Sequence, residues 1–137
     1  MRFVLVVVAV IVALLSGCGE PREELSPWEV RANAAISEQL NAPLRLAAGR
    51  TTVGTLLRAL PTPITTLTND IAPEWEIDHG AFAISGVDAL DEIVLQTSPK
   101  VRAELAWQII AGEVVIGTQS QLADPAVRAR LRSGKRP

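Results

Sequence analysis

Three groups of residues in this chain of 137 are of types that do chemistry: one thiol, one imidazole and a run of carboxylates. The thiol is Cys18, the only cysteine, which closes the tetrapeptide Leu15-Ser16-Gly17-Cys18. Ahead of it stand Arg2 and an apolar run of thirteen residues from Phe3 to Leu15. A positive n-region, a short apolar h-region and small residues before the scissile bond are what a signal peptidase needs. The run falls short of the roughly 20 residues that span a bilayer as a helix, so residues 1–17 read as a leader that is removed. With one thiol there can be no internal disulfide, and a chain otherwise free of cysteine suits an oxidising envelope compartment.

This N-terminus closely resembles that of bacterial lipoproteins. The resemblance implies cleavage between Gly17 and Cys18, a diacylglycerol on the Cys18 thiol and an acyl chain on its freed amine. Each buried CH₂ contributes roughly 0.8 kcal/mol, so several chains together give lasting attachment where one would not. The implied partner is therefore a membrane, reached through N-terminal acyl chains. Gly19 after the cysteine, rather than Asp, resembles the context of outer-membrane sorting, which implies a periplasm-facing location in a cell with two membranes.

The carboxylates Asp70, Glu74, Glu76 and Asp78 are close enough in sequence to suggest a calcium site, but their spacing is not that of an EF-hand. His79 has Asp78 beside it and Ser85 nearby, yet a strand neighbour points to the opposite face and cannot orient the ring for base catalysis. One histidine and an acylated cysteine leave no zinc ligand set. The chain has no Gly-rich phosphate loop, no G-x-S-x-G elbow and no tyrosine. The expectation is a protein without a cofactor or metal and without catalysis; the alternative is a small-ligand or cation binder, or an enzyme, that uses residues 70–78.

Charge is split along the chain. Of 13 Lys and Arg, twelve follow Cys18 against all fifteen Asp and Glu, a net charge of about −3 for the processed chain. Seven acids and no Lys or Arg fall between Asp70 and Glu92, while Arg128, Arg130, Arg132, Lys135 and Arg136 follow the last acid, Asp124. The plain reading is a solvated face and a solubilising tail. The sharper readings fold the tail onto the acidic middle, or make its five cations contacts for anionic lipid head groups or another envelope polyanion. Nucleic acid is a poor partner, because no aromatic residue interleaves with these arginines for stacking.

The elements that must position these groups are legible in part. Residues 18–25 read as the lipidated cysteine and a charged tether, 26–132 as one domain, and 133–137 as a basic tail that frays. Ser26-Pro27-Trp28-Glu29 has the form of a capping box, and Trp28, Ala32, Ile36 and Leu40 make an apolar stripe, which predicts a helix over 27–40. Leu44 to Leu46 reads as a short strand. Thr51-Thr52 offers an N-cap to a helix with Val53, Leu56, Leu57 and Leu60 on one face, stopped by Pro61 and Pro63. Ile64 to Thr68 reads as an edge strand. Val87 to Val94 is helix, or helix running into strand; Ser98-Pro99 then caps a further turn or two through Leu105. Asp124-Pro125 caps a last short helix with Val127 and Leu131 four apart.

One internal repeat stands out. Trp75 to Ile84 aligns without gaps on Trp107 to Ile116, thirty-two residues later, in the pattern W-x-I-x-x-G-x-[FV]-x-I. Trp75, Ile77, Gly80, Phe82 and Ile84 match Trp107, Ile109, Gly112, Val114 and Ile116. Two alternating runs around a glycine-containing turn predict a β-hairpin in each copy, with Glu74, Glu76 and Asp78 on a wet face and the second copy more central in its sheet. The fold class expected is α+β: a small helix-backed sheet with two repeated β-hairpins, an N-terminal helix and a short C-terminal helix. Between Leu44 and Leu122 this pattern resembles the small α/β repeats of the secretin and TonB-receptor short N-terminal domain. In those domains helices back small sheets that contact neighbouring proteins. The resemblance implies a non-catalytic module that docks on another envelope protein, through a hairpin face or sheet edge, in a secretin-like or transport complex.

Overall fold

The structure, a computed structural model, describes residues 24–46, 49–80, 83–133 and 135, with only the backbone at Arg45 and Ala83. The expected leader with Gly17, the expected lipidation residue Cys18, Phe82 and Arg136 lie outside the described residues. Among those described, no helix is long and apolar enough to cross a membrane. The fold is α+β, with five helices and seven short strands among the described residues.

Each described helix begins at a side-chain oxygen that accepts one of the N–H groups its first turn leaves unpaired. For α1 (Pro27–Asn41) this is Ser26, for α2 (Val53–Ala59) Thr52, and for α3 (Gly86–Val101) Ser85. For α4 (Gln119–Ala123) it is Thr118, and for α5 (Pro125–Arg132) Asp124. The caps at Ser26, Thr52 and Asp124 stand where the sequence placed them. The expectation at Ser98-Pro99 is corrected, because no new helix starts there. Ala89, Leu90, Ile93 and Thr97 keep one buried face through that region, so α3 runs on with Pro99 in its last turn. It ends at Arg102, whose left-handed backbone (φ 54°) lets its N–H reach Ser98 O. The Ser98 hydroxyl accepts the N–H of Leu105 at 3.0 Å, where the next strand begins.

The strands form three small sheets. β1 (Pro43–Arg45) pairs antiparallel with β5 (Ala83–Ser85), and β2 (Arg50–Thr52) pairs antiparallel with β4 (Glu76–Asp78). β3 (Ile64–Thr66), β7 (Glu113–Thr118) and β6 (Leu105–Ile110) make the third sheet in that order, with β3 parallel to β7 at one edge. The second repeat copy is thus the expected hairpin, β6 and β7. The first copy is not a hairpin, which corrects the reading of Trp75 to Ile84: its halves pair with β2 and β1 instead. Val53 N–H to Trp75 O (2.9 Å) and His79 N–H to Gly49 O (3.0 Å) extend the β2–β4 ladder at both ends, so a strand from far upstream takes the place of the local partner. Side chains still alternate as expected, with Ile77 buried between exposed Glu76 and Asp78.

The third sheet is covered on both faces. Val114 and Ile116, with Trp107 and Ile109 beside them, join a core of Ile36, Leu40, Val53, Leu56, Ile77, Leu90 and Ile93 under α1, α2 and α3. Ile110 and Val115 point the other way and pack with Leu122 and Leu131 of α4 and α5, and with Trp28, Leu67 and Val127. β7 is consequently buried along nearly its whole length, as a central strand should be.

Ala111 and Gly112 make the two-residue turn between β6 and β7, with φ of 51° and 74°, the positive pair that a type I′ hairpin turn demands. Ala32 of α1 sits so close that a Cβ on Gly112 would lie 3.0 Å from the Ala32 Cβ. Gly112→Ala should therefore destabilise the domain by about 2 kcal/mol, combining left-handed backbone strain with displacement of α1. Denaturant unfolding of the two proteins measures the difference; an unchanged midpoint would mean that α1 does not press on the turn.

Candidate functional site

Glu29 begins the local geometry of the site. Its side chain was expected to fold back on the Ser26 N–H in a capping box, but only half of that box forms: Ser26 Oγ accepts from Glu29 N at 3.2 Å. The carboxylate, with Glu29 only 3% exposed, turns into the protein. Its Oε1 accepts the Ala111 N–H at 3.2 Å, and Asn33 Oδ1, one helical turn on, accepts the Gly112 N–H at 2.8 Å. Arg132 closes the cluster from α5, its Nε 2.9 Å from Oε2 and its Nη2 3.1 Å from Oε1. Charge-assisted bonds of this forked kind are the strong ones, so first helix, hairpin tip and last helix are tied at one point.

That tie fixes the presentation of β6. In a hairpin with a two-residue turn, the flanking pair Ile110 and Glu113 is hydrogen-bonded, and bonded pairs then alternate: Gln108 with Val115, Ala106 with Gly117. The intervening residues must turn their N–H and C=O groups outward. On β7 they do, since Val114 N–H donates to Pro63 O and Ile116 O accepts from Leu67 N–H, both toward β3. On β6 the outward residues are Leu105, Trp107 and Ile109. Leu105 N–H is taken by Ser98; no described strand pairs with the outer side of Trp107 and Ile109. The result is a free strand edge beside α3, which packs on β6. Trp107 Nε1 donates to Asp91 Oδ1 of α3 at 2.8 Å, and one turn further along that helix Leu95 stands 68% exposed.

The other expected site residues are dispersed. Ile77, Val114 and Ile116 are fully buried, and Ile84 is a partly buried partner of that core. Trp75 has the Lys100 ammonium 5.1 Å above its ring. Gly80 has φ 67° with open space beside it. The acidic stretch does not converge: Glu76 reaches Arg50 at 3.8 Å on the surface, and the backbone of Asp78 is held by the Gln96 side chain. Among the described residues no group of three or more His, Cys, Asp or Glu is placed to hold a metal ion. Among the described residues His79 has no hydrogen-bond partner for either of its ring nitrogens, which are shut from solvent.

Several described residues of the basic stretch bond within the domain. Arg132 serves Glu29; Arg128 Nη1 donates to Gln108 Oε1 and Leu122 O, both at 2.9 Å. Lys135 Nζ is 2.6 Å from Glu113 Oε2, and Ser133 N–H bonds Ala129 O, so these two residues of the expected loose tail are held. Arg130 is exposed.

Comparison with family models, with curated proteins and with solved structures found no match. The sequence signalled a strand–turn–strand at β6 and β7 but not which side of β6 stays open, because that depends on β3 arriving from forty residues upstream.

Arg132→Ala should cost about 3 kcal/mol, because it strands a buried carboxylate. Adding Glu29→Gln to that variant should recover part of the loss, since the neutral amide still accepts from Ala111 while needing no counter-charge. Chemical unfolding of wild type, single and double variants tests this; a double variant less stable than the single would refute the electrostatic account.

Proposed function

We propose that this chain is a lipid-anchored envelope protein whose α+β domain is a non-catalytic docking module, which takes an extended segment of another envelope protein onto the free edge of β6. The observation that carries the reading is the outward row of backbone N–H and C=O groups at Trp107 and Ile109. Unpaired edges invite strand addition, in which main-chain hydrogen bonds give affinity and flanking side chains give specificity. Here the flank is α3, and a strand added to β6 would run past Asp91 and Leu95. Among the described residues the carboxylates from 70 to 78 are dispersed and the ring of His79 has no hydrogen-bond partner, so the alternative that uses residues 70–78 has no gathered site to support it. The resemblance to the secretin and TonB-receptor short N-terminal domain points the same way. Helices backing small sheets that contact neighbouring proteins, through a hairpin face or a sheet edge, are what it implies.

The edge reading has a positional test. Ile109→Pro removes an N–H that the fold does not use, whereas Ile109→Ala trims the same side chain and keeps that N–H. With a photo-cross-linker at Leu95 in intact cells, Ile109→Ala should retain the adduct and Ile109→Pro should lose it at least tenfold, at comparable protein levels. Equal adducts from both variants would dismiss strand addition at β6.

The anchor is tested separately. Cells fed labelled fatty acid should label the wild-type chain and leave Cys18→Ser unlabelled; equal incorporation would remove the acyl chains from the account.

A further inference from the structure

We propose that the N-terminal end of the domain rests in the surface of the membrane that holds Cys18, with Leu25 and Val30 entering the boundary between head groups and acyl chains. The inference depends on the lipid-anchor reading and adds to it how the domain is oriented on the bilayer.

Among the described residues the large hydrophobic side chains left exposed are Leu25 (38%), Val30 (53%) and Leu95 (68%). Leu95 flanks the edge of β6. The other two stand at the point where the tether enters the fold, on either side of the N-cap Ser26. They hold the N′ and N4 positions, which a hydrophobic staple pairs across a helix start, so both lie at the same end of α1. More than a third of each is in contact with water, which asks for a further cover. Trp28 lies between them in sequence and, with Glu24, Ser26, Ala129, Arg132 and Ser133, lines an open groove of about 620 Å³ at the same end of the molecule. Exposed Arg31 is next to Val30, and exposed Arg130 lies on the helix whose later turn forms the other wall.

The length of chain outside the described residues says what covers this patch. Leu25 is the seventh residue after Cys18, a reach of at most about 24 Å even when fully extended. An interfacial segment buries its apolar side chains about 5–10 Å into the head-group boundary, with tryptophan favoured at head-group level. A patch that begins where the anchored segment ends is held within reach of lipid whenever the protein is attached, and no other surface has that constraint. The same orientation suits β6: Glu29 ties the hairpin tip to the N-terminal end, so the free edge rises from the bilayer toward Leu105.

The test uses the lipidated protein, produced with its leader and reconstituted in vesicles of phosphatidylethanolamine and phosphatidylglycerol. With the thiol of Cys18 acylated, Leu25→Cys, Val30→Cys and Leu95→Cys each offer one site for an environment-sensitive dye. Lipids with nitroxide-labelled acyl chains should quench the dye at 25 and 30 several-fold more than at 95, and raising the salt should leave the difference intact because the contact is apolar. Protein that floats with the vesicles while 25 and 30 are quenched no more than 95 would overturn the membrane contact. Cross-linking of positions 25 and 30 to a protein in cells, without quenching in vesicles, would overturn it in favour of a protein cover. Failure of the anchor itself has a different signature, a wild-type Cys18 thiol that reacts with maleimide on protein that does not float, and that result overturns both.

Discussion

One buried carboxylate organises this domain. Glu29 meets the Ala111 N–H of the hairpin tip and the Arg132 guanidinium of the last helix, which brings together segments more than one hundred residues apart in the chain. A charge withdrawn from water is tolerated only when its lone pairs are matched, and here Ala111 and Arg132 match them. The left-handed backbone at Ala111 is held by the same contact, since a residue with φ 51° and a Cβ costs strain that its surroundings must offset. Asn33 repeats the device one turn later on Gly112, so α1 reads the hairpin tip through two successive N–H groups and cannot slide along it.

From that fixed tip the rest of the sheet follows. Because β7 is held between β3 and β6 and covered by helices on both faces, its side chains on either face are apolar, and the two cores meet through it. A three-stranded sheet has two edges. β3 is one, short and preceded by Pro61 and Pro63, which makes it a poor acceptor of a further strand. β6 is the other, six residues long and free of proline, with nothing in its own composition to deter pairing. The asymmetry between the two edges is what gives the candidate site a location rather than a mere possibility of strand addition.

What could be read from the sequence was local. Ser26, Thr52 and Asp124 announce helices because a hydroxyl or carboxylate before an amphipathic run acts on N–H groups two or three residues away. Thr118-Gln119-Ser120-Gln121 carried the same signal, and it forms the full capping box that Ser26 and Glu29 only half form. The misreadings all concern partners at long range. Glu29 looked like a capping residue since nothing nearby reveals Arg132. Trp75 to Ile84 looked like a hairpin because its twin is one, yet it lacks the tight two-residue turn and finds β2 and β1 instead. Ser98-Pro99 imitates a helix start, and only the continued burial of Thr97 beneath it shows that α3 has not ended. The free edge of β6 belongs to this class as well, since strand order is a property of the whole sheet.

The charge pattern invites the same caution in physical terms. A block of five cations behind seven acids suggests a dipolar molecule whose ends act at a distance, but a field reaches solvent only from charges not cancelled nearby. Arg132 and Lys135 are each within 3 Å of a carboxylate outside the acidic stretch, and Arg128 Nη1 donates to Gln108 and to a carbonyl. These side chains act as fasteners for α5 and the residue that follows it. The surfaces proposed above to meet other molecules are a strand edge and an apolar patch where the fold begins. Both would act at contact distance, through hydrogen bonds and water exclusion, so recognition on the proposed reading would depend on where the proposed anchor holds the domain.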